Sequence, residues 1–445
     1  MKNIHTLFLL TTLVCCTTVA QEAPSDNGTD GRRKAVSAKL YGFVRNYFNY
    51  DSRKTYTVIG GEYNMIPYDN KWNADKSDDL NQVPHAQLQA LTTRIGLNLE
   101  GPDLLGMKSS GKIEADFGGF GTTNSVLRLR QAFVKLSKSG DGKTCEVLLG
   151  QTWHPLSGDI MPEVLGMAAG APFRPHSRTP QLRAISYWNN FGITAALLYQ
   201  LQYMNNGPVS ATDPSSTNSI DFARNAIVPE CFLSLNYKSS AFYAQMGVDA
   251  QLIRPRTHAV NALGVVKRVD ETVFSLTPTL YAQYVEGMIS VKFRTLLAQN
   301  TSHLNQLVGY AVTDASPEGQ WSYTPLSASI SYLNIAYGKQ WRCNLFLGYM
   351  QNMGAAKDLY DFSANPATPL YRIYMKGGEE FTHLNSVWRI APSVSYNVKA
   401  FNIGLEYELT GASYGDIATD GSIQNTDALH QVVNHRICAL VKYNF

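Results

Sequence analysis

Three observations in the 445-residue sequence predict an all-β chain closed into an antiparallel transmembrane β-barrel of 16 strands. Apolar and polar residues alternate with a period of two in segment after segment, as on a strand with one face in an apolar phase and the other in water. The connections between those segments alternate between short and long. Beyond residue 20 there is no run of about 18 apolar residues, so no spanning helix is predicted, and mean hydropathy is −0.18.

From the N-terminus, residues 1–20 read as a cleaved secretory signal peptide: Lys2, an apolar stretch from Leu7 to Val14, and Thr18-Val19-Ala20 before Gln21. Cys15 and Cys16 raise lipid acylation as an alternative, but Val14 stands where such a site needs a small residue. Residues 21–38 are polar, with Gly28, Asp30, Gly31, Arg32 and Arg33, and read as a short unstructured tail. Residues 39–445 then make the barrel. Its strands are expected at 39–50, 91–100, 112–117, 127–136, 144–150, 181–188, 191–202, 230–237, 241–252, 272–284, 288–300, 326–337, 341–351, 386–396, 399–410 and 433–445. In the second, Leu91, Thr93, Ile95, Leu97 and Leu99 oppose Thr92, Arg94, Gly96, Asn98 and Glu100; in the last, Ile437, Ala439, Val441, Tyr443 and Phe445 oppose Arg436, Lys442 and Asn444.

Connections after the even strands are short, such as Asn189-Asn190 and Asn397-Val398, whereas 51–89, 151–180, 203–229, 301–325, 352–385 and 411–432 are long. Short inner turns and long external loops follow from an even strand number with both ends on one side of a membrane. Closure follows from hydrogen bonding, because an open sheet edge is not tolerated in hydrocarbon. Trp188, Tyr199, Tyr237, Tyr284, Trp341, Trp388 and Tyr443 stand near strand ends, where interfacial girdles form, although any sheet also holds aromatics. Three features fit poorly: Pro278 and Pro392 fall inside strands, Gln131 falls on a lipid-facing position, and 326–337 carries serines on one parity. Outward polar residues of this kind suggest a subunit interface.

The 25 tyrosines and 18 phenylalanines favour sheet. A net charge of +3 gives no argument for nucleic acid. Cys145, Cys231, Cys343 and Cys438 read as unpaired small hydrophobes on outward positions of separate strands.

A 16-stranded barrel leaves an aqueous lumen, so function belongs to inward residues and to any loop that folds in. The inward parity of the first strands is rich in arginine: Arg45, Arg94, Arg128, Arg130 and Arg183, joined by Arg436 and Lys442 on the strand that closes the barrel. Lys112, Glu114 and Asp116 stand among them, the two acids positioned to pair with the arginines. Lys292 and Arg294 add lumen charge from the strand at 288–300. Such a basic arc favours passage of anions through weak successive contacts, whereas a merely solvated lumen would carry charge without selectivity. The connection 151–180 is apolar where an external loop is normally polar, with Met161 to Ala171 rich in small residues. It is expected to fold inward as a constriction, carrying His154, Asp159, Glu163, Arg174, His176 and Arg178; packing on neighbouring loops is the alternative. No nucleophile elbow, metalloprotease helix, paired cysteines or phosphate loop occurs, so no enzyme, cofactor or metal is implied.

The terminal aromatic Phe445 resembles the C-terminal signature of bacterial outer-membrane barrels, which implies placement in the outer membrane by the barrel assembly machinery. Leu91 to Glu100, Leu127 to Leu136, Leu149-Gly150-Gln151-Thr152-Trp153 and Arg178 to Arg183 resemble the DcaP-like porins. That resemblance implies a usually trimeric, 16-stranded channel for small anions such as dicarboxylates, with Arg128, Arg130, Arg178 and Arg183 at the constriction. It covers roughly residues 90–185. Residues 21–38 lack the heptads of the coiled coil that some members carry. The expected function is passive diffusion of small anions. The alternatives are a non-selective general porin, or a scaffold or adhesin whose loops 51–89 and 352–385 bind a partner.

Overall fold

A computed structural model describes residues 36–119, 125–157, 161–364 and 369–445. The proposed signal peptide and most of the tail, together with Asp159, lie outside them. Sixteen antiparallel strands close on themselves: β1 Ser37–Asp51, β2 Arg94–Glu100, β3 Lys108–Asp116, β4 Arg128–Gly140, β5 Lys143–Trp153, β6 Arg178–Trp188, β7 Phe191–Leu198, β8 Glu230–Lys238, β9 Phe242–Ile253, β10 Val273–Glu286, β11 Ile289–Gln299, β12 Trp321–Gly338, β13 Trp341–Ala355, β14 Leu384–Val398, β15 Phe401–Tyr414 and β16 His430–Asn444. β1 pairs with β2 on one side (Phe43 opposite Arg94) and with β16 on the other (Arg45 opposite Lys442). Phe445 extends this seam, exchanging backbone hydrogen bonds of 3.0 and 3.1 Å with Gly42. A Cβ at Gly42 would stand 2.6 Å from the Phe445 ring, which is why the seam holds glycine there.

Outward side chains such as Leu149 and Met246 are 65% and 61% exposed. In water each would forgo about 1.5–3 kcal/mol of burial, a loss that hydrocarbon removes. The outward belt is bounded by aromatics on both sides: Trp341 and Tyr396 pair across β13 and β14 near the short turns, and Tyr349 and Trp388 pair eight residues further along. At about 3.3 Å per residue and about 40° of tilt, that separation matches a membrane-crossing band.

All 16 expected strands are present, and several run further toward the long loops, β12 beginning at Trp321 rather than 326 and β16 at His430 rather than 433. Above the membrane the ladder continues in water, where hydrogen bonding persists but the apolar alternation that marks a strand is no longer required.

Gln131, the serines of 326–337 and Pro278 have structural explanations, whereas Pro392 lies within the β14 ladder opposite Leu345. A bulge at Arg130 shifts the register between β3 and β4 and reverses the parity beyond it. Gln131 therefore faces inward, donating to Glu114 at 3.2 Å and accepting from Thr152 at 2.8 Å. Ser331 pairs with Tyr349, level with the outer aromatics, so Ser327 and Ser329 lie toward the rim rather than in hydrocarbon. Pro278 points outward where β10 leaves the β11 ladder, which begins at Thr279. There the Gln299 side chain accepts from Leu276 N at 3.0 Å.

Two readings need correction. Cys438 shares the inward parity of Arg436 and is buried, not lipid-facing; Cys231, Cys343 and Cys438 are free thiols. The loops 51–89 and 352–385 are not simply external. The hairpin Thr55–Val58/Tyr63–Pro67 enters the lumen, with Tyr63, Met65 and Ile66 fully buried, and Met375 and Phe381 of the later loop join the same apolar cluster.

Candidate functional site in the lumen

The wall of β2 to β4 carries the arginines as an ion-pair lattice. Arg128 grips Asp116 with two hydrogen bonds of 2.9 and 2.8 Å, and Arg130 bridges Glu114 at 2.8 Å and Asp116 at 2.5 Å. Arg94 lies 3.6 Å from Glu114. Next to this lattice, the guanidinium groups of Arg45 and Arg94 and the ammonium of Lys442 surround the Phe43 ring at 4.9, 4.9 and 5.3 Å. Lys112 lies over Tyr41 at 5.1 Å. Arg436 is tied down, 3.7 Å from Asp51 and donating to Gly61 O at 3.2 Å.

The segment from His154 to Ser177 leaves β5, crosses the lumen and returns to β6. Its far side is anchored on the opposite wall. Arg342 holds Glu163 with two bonds of 2.8 Å, and Lys292 adds a third contact at 3.3 Å. Burial alone would raise the Glu163 carboxyl; Arg342 and Lys292 instead hold it at about 2. Glu406 accepts from the N–H groups of Leu165 and Gly166 at 2.8 and 3.1 Å, and Arg389 donates to Ala171 O at 2.8 Å. An apolar loop entering a polar lumen packs where it can: Met167, Ala168, Ala171 and Phe173 join the apolar cluster with Tyr47 and Phe346.

Near the return to β6 the basic residues converge. The Trp153 ring has Arg178 at 4.5 Å, Arg174 at 5.0 Å and Arg130 at 6.0 Å. His176 sits edge-on to Trp153 and to Tyr63, to which it is hydrogen-bonded, and takes a contact of 2.9 Å from Arg174. Burial and the surrounding arginines hold His176 neutral, its pKa well below the ordinary value, and burial draws Arg174 down to about 10. Arg178 is fully buried, and none of its three guanidinium nitrogens has a hydrogen-bond partner among the described residues. Two such nitrogens remain on Arg174 and two on Arg294, which lies 5.0 Å from the Tyr281 ring. Below them a cavity of about 520 Å³, lined by Arg183, Arg294, Tyr281 and Glu146 among others, reaches residues of the short turns such as Asn189 and Lys238.

The arrangement therefore sorts the sequence-derived residues. Arg128 and Arg130 are neutralised by Asp116 and Glu114, although Arg128 Nη1 lacks a hydrogen-bond partner among the described residues; Lys292 serves the loop anchor, Arg174 and Arg294 each carry two unsatisfied nitrogens, and Arg178 carries three. Residues that sequence reasoning did not single out are Tyr63, Tyr203, Arg389, Glu406 and Lys376. Met65-Ile66, apolar residues within a nominally external loop, carried the same signal that marked the loop at 151–180.

A closed barrel with an apolar belt and a charged, constricted lumen defines the porin and channel architecture. No family model matches the chain, and no curated protein matches it in sequence. Among solved structures it is similar to the outer membrane channel DcaP of Acinetobacter baumannii, at 17% identity and a TM-score of 0.60 over 92% of this chain and 98% of that one. It is also similar to the anion-selective porin from Comamonas acidovorans, at 12% identity and a TM-score of 0.48 over 92% of this chain and 100% of that one. The first likeness shows a shared fold, that of the channel whose family residues 90–185 resemble.

Proposed function

We propose that this protein is an outer-membrane channel for passive diffusion of small hydrophilic solutes, selective for anions. The observation that carries the reading is Arg178, whose buried guanidinium lacks any hydrogen-bond partner among the described residues. An unpaired buried charge costs several kcal/mol, and a transient anionic guest offsets that cost without staying. Arg174 and Arg294 continue the row toward the cavity below, so an anion leaving one guanidinium meets the next. Pairing of Arg128 and Arg130 with acids transfers the selectivity from the wall to this row. With the resemblance above, the reading extends to carboxylate solutes, assembly through Phe445 and a homotrimer.

Planar-bilayer recording under a salt gradient tests it. The expected result is an open channel whose reversal potential lies toward that of chloride, and Arg178→Gln is expected to bring it most of the way back to zero. Cation preference in the unaltered protein would sink the reading, and absence of conductance would favour a scaffold.

A further inference from the structure

Away from the arginine row, three cations crowd one ring at the seam that closes the barrel. Arg45 of β1 stands directly opposite Lys442 of β16, and Phe43 stands opposite Arg94 of β2. The guanidinium carbons of Arg45 and Arg94 each lie 4.9 Å from the Phe43 ring centre, and the Lys442 ammonium lies 5.3 Å from it. Arg45 is also 5.4 Å from the ring of Tyr47, whose hydroxyl donates to Leu165 O at 2.7 Å. Leu165 of the lumen-crossing loop thus sits above this locus, which lies on the side of the short turns. The cavity of about 520 Å³ is walled by residues of β5 to β11, so the two places are separate.

Counter-charge is lacking at the seam. Neither Arg45 nor Lys442 forms an ion pair or a side-chain hydrogen bond among the described residues, and the buried Nε atoms of Arg45 and Arg94 have no partner among them. Among those residues Arg94 has one acid in reach, Glu114 at 3.6 Å. Glu114 already accepts from Arg130 at 2.8 Å, from Tyr41 at 2.8 Å and from Gln131 at 3.2 Å. Glu62 of the inward hairpin forms no ion pair with Arg45, and burial raises its carboxyl to about 7, so at neutral pH it is ionised only in part. Like charges directly opposite across two strands repel, and here the rings of Phe43 and Tyr47 replace screening water beside them. Lys112, 5.1 Å over Tyr41, adds a further cation on the same side.

We propose that Arg45 and Lys442, with Arg94 beside them, bind a phosphate group, either the free ion or that of a phosphomonoester, on the short-turn side of the lumen-crossing loop. The inference deepens the anion reading and rests on it. Two facing cations at one locus call for one head group that answers both. A carboxylate carries a single charge and two oxygens in a plane, whereas a phosphate carries about −1.5 to −2 at neutral pH, with acceptor oxygens pointing in several directions. A dicarboxylate holds its charges at two ends and leaves one of them away from the pair. Occupancy would turn a repulsion within the seam into charge-assisted contacts and give anions a station below the constriction.

The test uses the full-length barrel folded in detergent at low ionic strength, dialysed to equilibrium against radiolabelled inorganic phosphate. The expected result is saturable binding, with a denaturant midpoint that phosphate raises. Lys442→Met and Arg45→Gln are each expected to weaken binding about tenfold or more, as loss of one hydrogen bond from a charged donor does. Both variants remove a like-charge neighbour, so without phosphate neither is expected to unfold at lower denaturant than the unaltered protein. Competition by β-glycerophosphate assigns the site to esterified phosphate as well, and failure to compete assigns it to the free ion. Equal binding in the unaltered protein and both variants would overturn the proposal, as would the absence of saturable binding. Succinate competing at the same concentration as phosphate would overturn it too, because the pair would then hold any anion. Binding is read without a membrane and reversal potential with one. Anion selectivity without phosphate binding therefore removes this inference alone, whereas cation preference removes the reading it deepens.

Discussion

At the residue scale, the arginines of this lumen divide by whether they have partners, and the division predicts opposite effects of removing charge. Asp116 receives Arg128 and Arg130 together, so Asp116→Asn leaves two buried cations short of a counter-charge. About 3–5 kcal/mol of destabilisation is expected, read as a lowered denaturant midpoint, whereas Arg178→Gln removes an unpaired charge and should leave the midpoint unchanged or higher. Equal losses in both variants would mean that Arg178 has a partner after all. Lys376 gives a pH dependence: buried and 5.5 Å from the Tyr203 ring, it is drawn by burial down to about 8. Its charge is present below that value and lost as pH rises through it. Anion selectivity should therefore weaken between about pH 7 and 9, in the window the depressed lysine sets, and Lys376→Met should flatten the profile. A reversal potential independent of pH in the unaltered protein would remove Lys376 from the path.

At the scale of elements, the lumen-crossing loop is held on its far side by charge and on its near side by packing. Glu163→Gln would keep the shape of the anchor and lose its ion pairs with Arg342 and Lys292. The expected result is larger fluctuations of the open-channel current with selectivity unchanged, and a steady trace would mean that Glu406 and Arg389 suffice. The strands were legible because each needs apolar residues at every second position to face lipid, a demand that repeats 16 times. Their outer ends were less so, since in water that demand lapses. The Arg130 bulge was illegible for another reason: one inserted residue is a local event with no periodic trace, and Gln131 marked it only as an exception. The inward hairpin at 55–67 was missed although Met65 and Ile66 were visible, because an apolar pair in a long loop does not say which surface it meets.

For the whole molecule, closure and contents come from different parts of the chain. Of the sequence-derived arc of Arg45, Arg94, Arg128, Arg130, Arg183, Arg436 and Lys442, Arg183 stands on β6, and the others stand on neighbouring strands from β16 through β1 to β4. Adjacency along that wall follows from strand order alone, which is why parity was enough to assemble it. What parity could not supply is the distance across the lumen. Glu163 of the lumen-crossing loop meets Arg342 and Lys292 of the far wall only because that loop enters the lumen, and such a meeting leaves no spacing in the sequence. Arg178 opens β6 and Arg294 lies on β11, so residues of the proposed solute path stand on the same strands whose other face meets the membrane. On the proposed reading a strand answers to lipid through one parity and to solute through the other, so substitutions at one parity can change the traffic while the neighbouring positions keep the membrane fit.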